Sequence, residues 1–286
     1  MDDITIEPCY ILRPCYDEYL YKDGVKNRAE RGFKKFHPSA FGGCLRKVVL
    51  QYFGEFKPEL RDPSPIVPQS QRIFNAGHAH HYRMQSELTK MGILRGYWKS
   101  KLTGKVYGKE NKIGIFMPES LEEVGETKPT DDKREIHELF EYEEIALSDD
   151  EYNFAGHCDG VIELERGNAN TRYVIDFKTI KMERFKFLSN ASRKPDHTYI
   201  AQINIYMWLL GLDKGIIFYE DKNTHELIEF LVPYDKHLIE DIKTNAKKLL
   251  LAIEGRKLPK INPHYSKDAK PCAYCGYADL CWKSKQ

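Results

Sequence analysis

Three charged residues stand in a stretch whose pattern otherwise predicts strand interior. In "GHCDGVIELERGNANTRYVIDFKTIK", residues 156–181, the apolar runs "VIEL" and "YVIDF" flank a polar turn and predict a β-hairpin. Asp159 and Asp176 accompany these runs, and Lys178 follows two residues after the second aspartate. Side chains alternate along a strand, so Asp176 and Lys178 share one face while Ile175 and Phe177 take the core face. Pairing of the hairpin brings Asp159 near Asp176. Two adjacent carboxylates repel unless a cation lies between them. Hard divalent ions such as Mg²⁺ or Mn²⁺ prefer such oxygen ligands. Lys178 would then orient water or stabilise charge on an attacked phosphate. The competing reading is a salt bridge on a half-exposed hairpin.

Other groups with chemical potential lie outside the hairpin. "GHAHH" places His78, His80 and His81 on a helix spanning about residues 70–91. "QINIY" places Gln202 and Tyr206 four residues apart, on one helix face. The chain has seven cysteines, and "CAYCGYADLC" groups Cys272, Cys275 and Cys281 as C-x2-C-x5-C. Such a cluster calls for a fourth thiolate, at a zinc or iron–sulfur site. Free thiols are the third reading. Cys158 reads as a core residue, and Cys9 and Cys15 have no assigned role.

The elements that must position these groups follow from periodicity. "SAFGGCLRKVVLQYFG" predicts a helix capped by Ser39, and "KPELRDPSPIVPQS" a Pro-rich break. Residues 95–135 are poorly periodic. "HELFEYEEIALS" and "YNFAGHCDGVIELE" alternate as strands. An apolar helix in "DHTYIAQINIYMWLLGL", a hairpin turning at "DKNT" and an amphipathic helix in "YDKHLIEDIKTNAKKLLLAIEG" complete the order. That order predicts a mixed α/β domain with terminal additions. The divisions expected are a helical, basic region at 1–135, a core at 136–258 and a cysteine-rich tail at 259–286.

An acidic residue on one strand, then acidic-x-Lys on the next, resembles the PD-(D/E)xK nuclease superfamily, with Cys158 where that name has proline. Gly77 and His81 match the G-x-x-x-H pattern, and Gln202 and Tyr206 the Q-x-x-x-Y pattern, of its RecB-like exonucleases. The resemblance runs from Ser39 to Cys281 and is poorest over 95–135. It implies a restriction-endonuclease-like core, with a central mixed β-sheet flanked by helices. It also implies Mg²⁺ or Mn²⁺ held by His81, Asp159, Asp176 and the carbonyl of Phe177. Lys178 would be catalytic, with Gln202 and Tyr206 positioning DNA or the lysine. In iron–sulfur members, one N-terminal and three C-terminal cysteines bind a [4Fe–4S] cluster. Here these would be Cys44, Cys272, Cys275 and Cys281, with structural Zn²⁺ as the alternative. The cysteine module would derive its order from those bonds rather than from burial.

With 44 basic and 43 acidic residues among 286, net charge says nothing about a partner, and only local clusters can. Three local segments mix bases with aromatics: "RGFKKF" (31–36), "RGYWKSK" (95–101) and "KMERFKF" (181–187). They are expected near the site, where Lys and Arg neutralise a DNA backbone and rings stack unpaired bases. No apolar run reaches the roughly 18 residues of a membrane span. The acidic start has no secretory pattern, so a cytoplasmic location is expected. The expected activity is metal-dependent exonucleolytic hydrolysis of single-stranded DNA or DNA ends, in recombination, replication or repair. The alternative is an inactive nucleic-acid-binding or adaptor protein.

Overall fold

The computed structural model of the protein describes residues 12–30, 32, 34–61, 64–107, 140–166, 169–190 and 193–283. The chain opens with α1 (Leu12–Glu30), α2 (Pro38–Phe41), α3 (Leu45–Gly54), a short 3-10 turn and α4 (Pro68–Lys90). Strands β1 (Leu94–Arg95), β2 (Tyr97–Ser100), β3 (Val106–Tyr107), β4 (Phe140–Glu143), β5 (Ile145–Asp149), β6 (Phe154–Cys158), β7 (Gly160–Arg166) and β8 (Ala169–Ile180) follow. Helices α5 (Met182–Leu188) and α6 (His197–Leu210) precede β9 (Lys214–Asp221), β10 (Leu227–Pro233) and α7 (Lys236–Glu254). A 3-10 turn at Cys272–Tyr274 and α8 (Ala278–Lys283) form the tail.

The central hairpin forms as its alternation predicts. β7 and β8 pair antiparallel, with Gly160 opposite Ile175 and Ile162 opposite Tyr173. On its other edge β8 pairs parallel with β9, placing Lys178 beside Tyr219. Parallel neighbours need a crossover, and α5 and α6 supply it. The resulting mixed sheet has the order β1-β7-β8-β9-β10, with smaller sheets β3-β2-β4 and β5-β6 beside it.

Both faces of this sheet are covered. On one, Tyr173, Ile175 and Phe177 pack with Met84 and Leu88 of α4 and with Trp98. On the other, Val174, Ile217 and Tyr219 pack with Ile203, Tyr206 and Met207 of α6. The charged face of β8 is therefore roofed by a helix, and Asp176 is 0 % exposed. This removes the half-exposed hairpin as a reading of Asp176 and Lys178.

Two local expectations are corrected. The helix expected from Ser39 is two helices, with His37 and Cys44 as their N-caps and Ser39 inside the first. The reason lies in α6: a Cβ on Gly42 would stand 2.4 Å from the Thr198 Cα, so the chain passes too close for a side chain. Two of the three basic-aromatic segments also serve the interior. Phe36 is buried and bridges to Phe154, and Lys35 is paired with Asp150 at 2.6 Å. Trp98 is fully buried and donates to Thr89, while buried Arg95 meets Glu163 at 3.2 Å. Alternation in β2 turns Trp98 inward, and both residues of the two-residue β1 are buried. The expected division after residue 135 lies outside the described residues, as does Cys9. Among the described residues, no helix is long and apolar enough to cross a membrane.

Candidate active site

Asp159 occupies the single-residue break between β6 and β7, so its side chain obeys neither strand's alternation. Its Oδ2 accepts the Phe177 N–H at 2.7 Å, and its carbonyl accepts Gln85 Nε2 of α4 at 2.9 Å. These two bonds fix it against β8 and α4 together. Its Oδ1 stands 3.5 Å from His81 Nδ1. Lys178 Nζ donates to Asp176 Oδ1 at 2.7 Å and lies 5.0 Å from the centre of the Tyr199 ring. The second oxygen, Asp176 Oδ2, is buried and has no hydrogen-bond partner among the described residues.

The electrostatics follow from that crowding. Burial, and then the charge of Asp176, push the Asp159 carboxyl up to about 7. Burial raises Asp176 as well, with Lys178 opposing it. Burial would lower Lys178, but Asp176 and Asp159 outweigh it and hold the ammonium above its ordinary range. Burial likewise opposes charge on His81, yet Glu144 and Asp159 raise it. A buried, unpartnered carboxylate oxygen beside a second strained carboxylate is the donor set a hard cation fits.

Sequence reasoning missed Glu144. Its Oε1 lies 3.8 Å from His81 Nδ1. Among the described residues, His81, Glu144 and Asp159 form the group that brings three candidate ligand atoms within 4.8 Å of one another. The signal was available in "FEYEE": Glu141 and Glu143 point outward in β4, and Glu144 breaks their alternation at the step into β5. Of the three histidines, His81 reaches Asp159 while His78 is exposed. His80 turns to Glu220 at 3.2 Å, where Arg83 and His225 also bind. Gln202 and Tyr206 do share a buried face of α6, Nε2 donating to the hydroxyl at 2.7 Å. Tyr206 lies within electrostatic reach of Asp176 and Asp159.

The cysteines of the expected module lie toward opposite ends of the chain, Cys44 at the N-cap of α3 and Cys272, Cys275 and Cys281 in the tail. Cys44 is raised by burial, with the thiols of Cys281 and Cys275 adding to it, and Tyr265 senses Cys44 and Cys272. Burial and hydrogen bonds to α3 help order the tail, which corrects the expectation of metal–ligand bonds in place of burial. Tyr277 is 2 % exposed, and buried Arg46 of α3 donates to Cys281 Sγ at 3.0 Å and to the Pro259 carbonyl. Cys158 is buried in the core as expected, and Cys15 is exposed on α1.

A mixed sheet that presents an aspartate, then Asp-x-Lys on the adjoining strand, between covering helices, is a restriction-endonuclease-like core. The chain belongs to the PD-(D/E)XK nuclease superfamily, whose sequence model matches residues 21–282. No curated protein sequence matches it significantly. Among solved structures, it is similar to the alkaline exonuclease LHK-Exo from Laribacter hongkongensis, at 20 % identity and a TM-score of 0.31. That match covers 36 % of this chain and 51 % of the exonuclease, about half its length. The same exonuclease in complex with dAMP gives the same figures. A protein designated SSO0001 is similar at 16 % identity and a TM-score of 0.46, over 92 % of this chain and 94 % of that one.

Proposed function

We propose that this protein is a divalent-metal-dependent deoxyribonuclease of the RecB-like type, an exonuclease on single-stranded DNA or DNA ends. Its work would lie in recombination, replication or repair. The observation that carries the reading is the buried Asp176 Oδ2, without a partner and beside Asp159. His81, Asp159, Asp176 and the Phe177 carbonyl would hold Mg²⁺ or Mn²⁺, with Glu144 completing the set. When bound, the ion polarises the scissile phosphate and acidifies nearby water.

The chain's own residues do the rest. The Phe177 amide and Gln85 keep Asp159 in place. Asp176 and the Tyr199 ring hold the Lys178 ammonium, which donates to a phosphate oxygen as charge accumulates in the transition state. Gln202 and Tyr206 support this arrangement from α6. The catalytic core spans 136–258, flanked by the N-terminal region and the tail. The intact Lys178–Asp176 pair favours catalysis over the inactive-binder alternative. Labelled oligonucleotides incubated with Mn²⁺, each end labelled in turn, test the reading. Cleavage that stops with chelator is expected, and intact oligonucleotide in Mn²⁺ overturns it.

Cys44, Cys272, Cys275 and Cys281 hold a [4Fe–4S] cluster in this reading. The same four thiols could instead hold structural Zn²⁺, which binds thiolates tetrahedrally. Iron content and broad visible absorption of anaerobically purified protein test it, and stoichiometric zinc without iron overturns it.

A further inference from the structure

Of the three basic-aromatic segments, the one at α5 keeps an aromatic in solvent among the described residues. Phe185 and Leu188 anchor α5 in the core, which turns Phe187 outward at 40 % exposure. The guanidinium carbons of Arg184 and Arg193 lie 4.6 and 4.4 Å from its ring centre. Arg184 is neutralised by Asp196 at 2.7 Å, and no such carboxylate pairs with Arg193 among the described residues. Residues 181–196 carry five basic side chains against two acidic ones.

This layer adjoins the catalytic strand, since the N-cap of α5, Lys181, is three residues beyond Lys178. On the neighbouring strand β9 stands Tyr219, paired in register with Lys178. Its hydroxyl is 1 % exposed at the residue level, unpartnered among the described residues, and within electrostatic reach of Tyr199, Asp196, Asp176 and Arg184. With Arg184 compensated by Asp196, Arg193 carries the uncompensated charge on that ring, and an anion would balance it. A ligand with phosphate charge and an unpaired base satisfies both the charge and the exposed stack.

We propose that Arg184, Phe187 and Arg193 form a subsite for a nucleotide of single-stranded DNA flanking the scissile phosphate. This rests on the nuclease reading above for where that phosphate lies. Arg193 pairs with the backbone, and an unpaired base stacks on the guanidinium–aromatic layer. A duplex keeps its base faces stacked internally and offers only phosphates, so the subsite favours single strands.

The test uses the full chain in chelator, with fluorescence anisotropy of labelled oligothymidylate and of a blunt duplex across a salt series. Phe187→Ala is expected to weaken oligothymidylate binding about 5- to 150-fold and leave duplex affinity near wild type. Arg193→Ala is expected to flatten the logarithmic salt slope by about 0.7. Should Phe187→Ala fail to fold, Phe187→Trp, expected to bind as wild type, and Arg193→Ala carry the test. Unchanged single-strand binding in the folded variants, equal losses on duplex, or a wild-type chain that ignores oligothymidylate would overturn the subsite. Wild-type chain that binds single strands through these residues and leaves them uncut in Mn²⁺ sinks the nuclease reading while the subsite stands.

Discussion

Replacing Asp176 by asparagine separates a structural ion pair from a cation site. Removing one partner of a buried pair ordinarily costs about 3–5 kcal/mol. Here the charge of Asp176 is itself a burden, because burial and that charge lift Asp159 from 3.8 to about 7. A rise of that size sets on the order of 4 kcal/mol against the folded, ionised state at neutral pH. Asparagine relieves the Asp176 share and keeps an oxygen acceptor for Lys178 Nζ, now at 2.7 Å. In chelator, Asp176→Asn should therefore lie within about 1 kcal/mol of wild type, roughly 2–4 °C in melting temperature. Wild type with Mn²⁺ at a hundred times its Kd should gain about 2.7 kcal/mol, or roughly 5–11 °C. The variant should gain almost nothing and should not cleave. Differential scanning fluorimetry with Mn²⁺ and with chelator reads both quantities. A loss of about 3–5 kcal/mol in chelator, or a full Mn²⁺ shift in the variant, would refute the reasoning.

Lys178→Met should keep the Mn²⁺ shift and lower single-turnover cleavage at least about a hundredfold; wild-type rates would remove the lysine from the mechanism. Glu144→Gln should raise the Mn²⁺ concentration for half the thermal shift about tenfold, and an unchanged value makes Glu144 a bystander. The Asp159 carboxyl is raised on folding, so its stabilising contribution is complete below pH 3.8 and is lost as pH rises through about 7. Melting temperature in chelator should fall between pH 5 and 8, less so with saturating Mn²⁺, as a pH titration of thermal melts would show. Cys44→Ser should lose iron and visible absorption under anaerobic purification, whereas retained iron would exclude Cys44 as a ligand.

How much was legible in the sequence varies with the residue. Alternation in "YVIDFKTI" placed Asp176 and Lys178 on one face, and helical spacing placed Gln202 beside Tyr206, because each pattern is a phase within a single element. The hairpin and the α4 and α6 helices followed from the same short-range rules, whereas the mixed sheet was implied by the family resemblance. Those rules could not rank three neighbouring histidines, since the choice depends on where β7 begins relative to α4. Nor could they show Glu144 entering the site, or Trp98 and Phe36 leaving the surface. By itself the sequence determined which side chains share a face. The tertiary structure alone decided which faces are covered, because burial is set by elements far apart along the chain. That covering leaves one oxygen of Asp176, Oδ2, buried without a hydrogen-bond partner among the described residues and gives a cation a reason to bind.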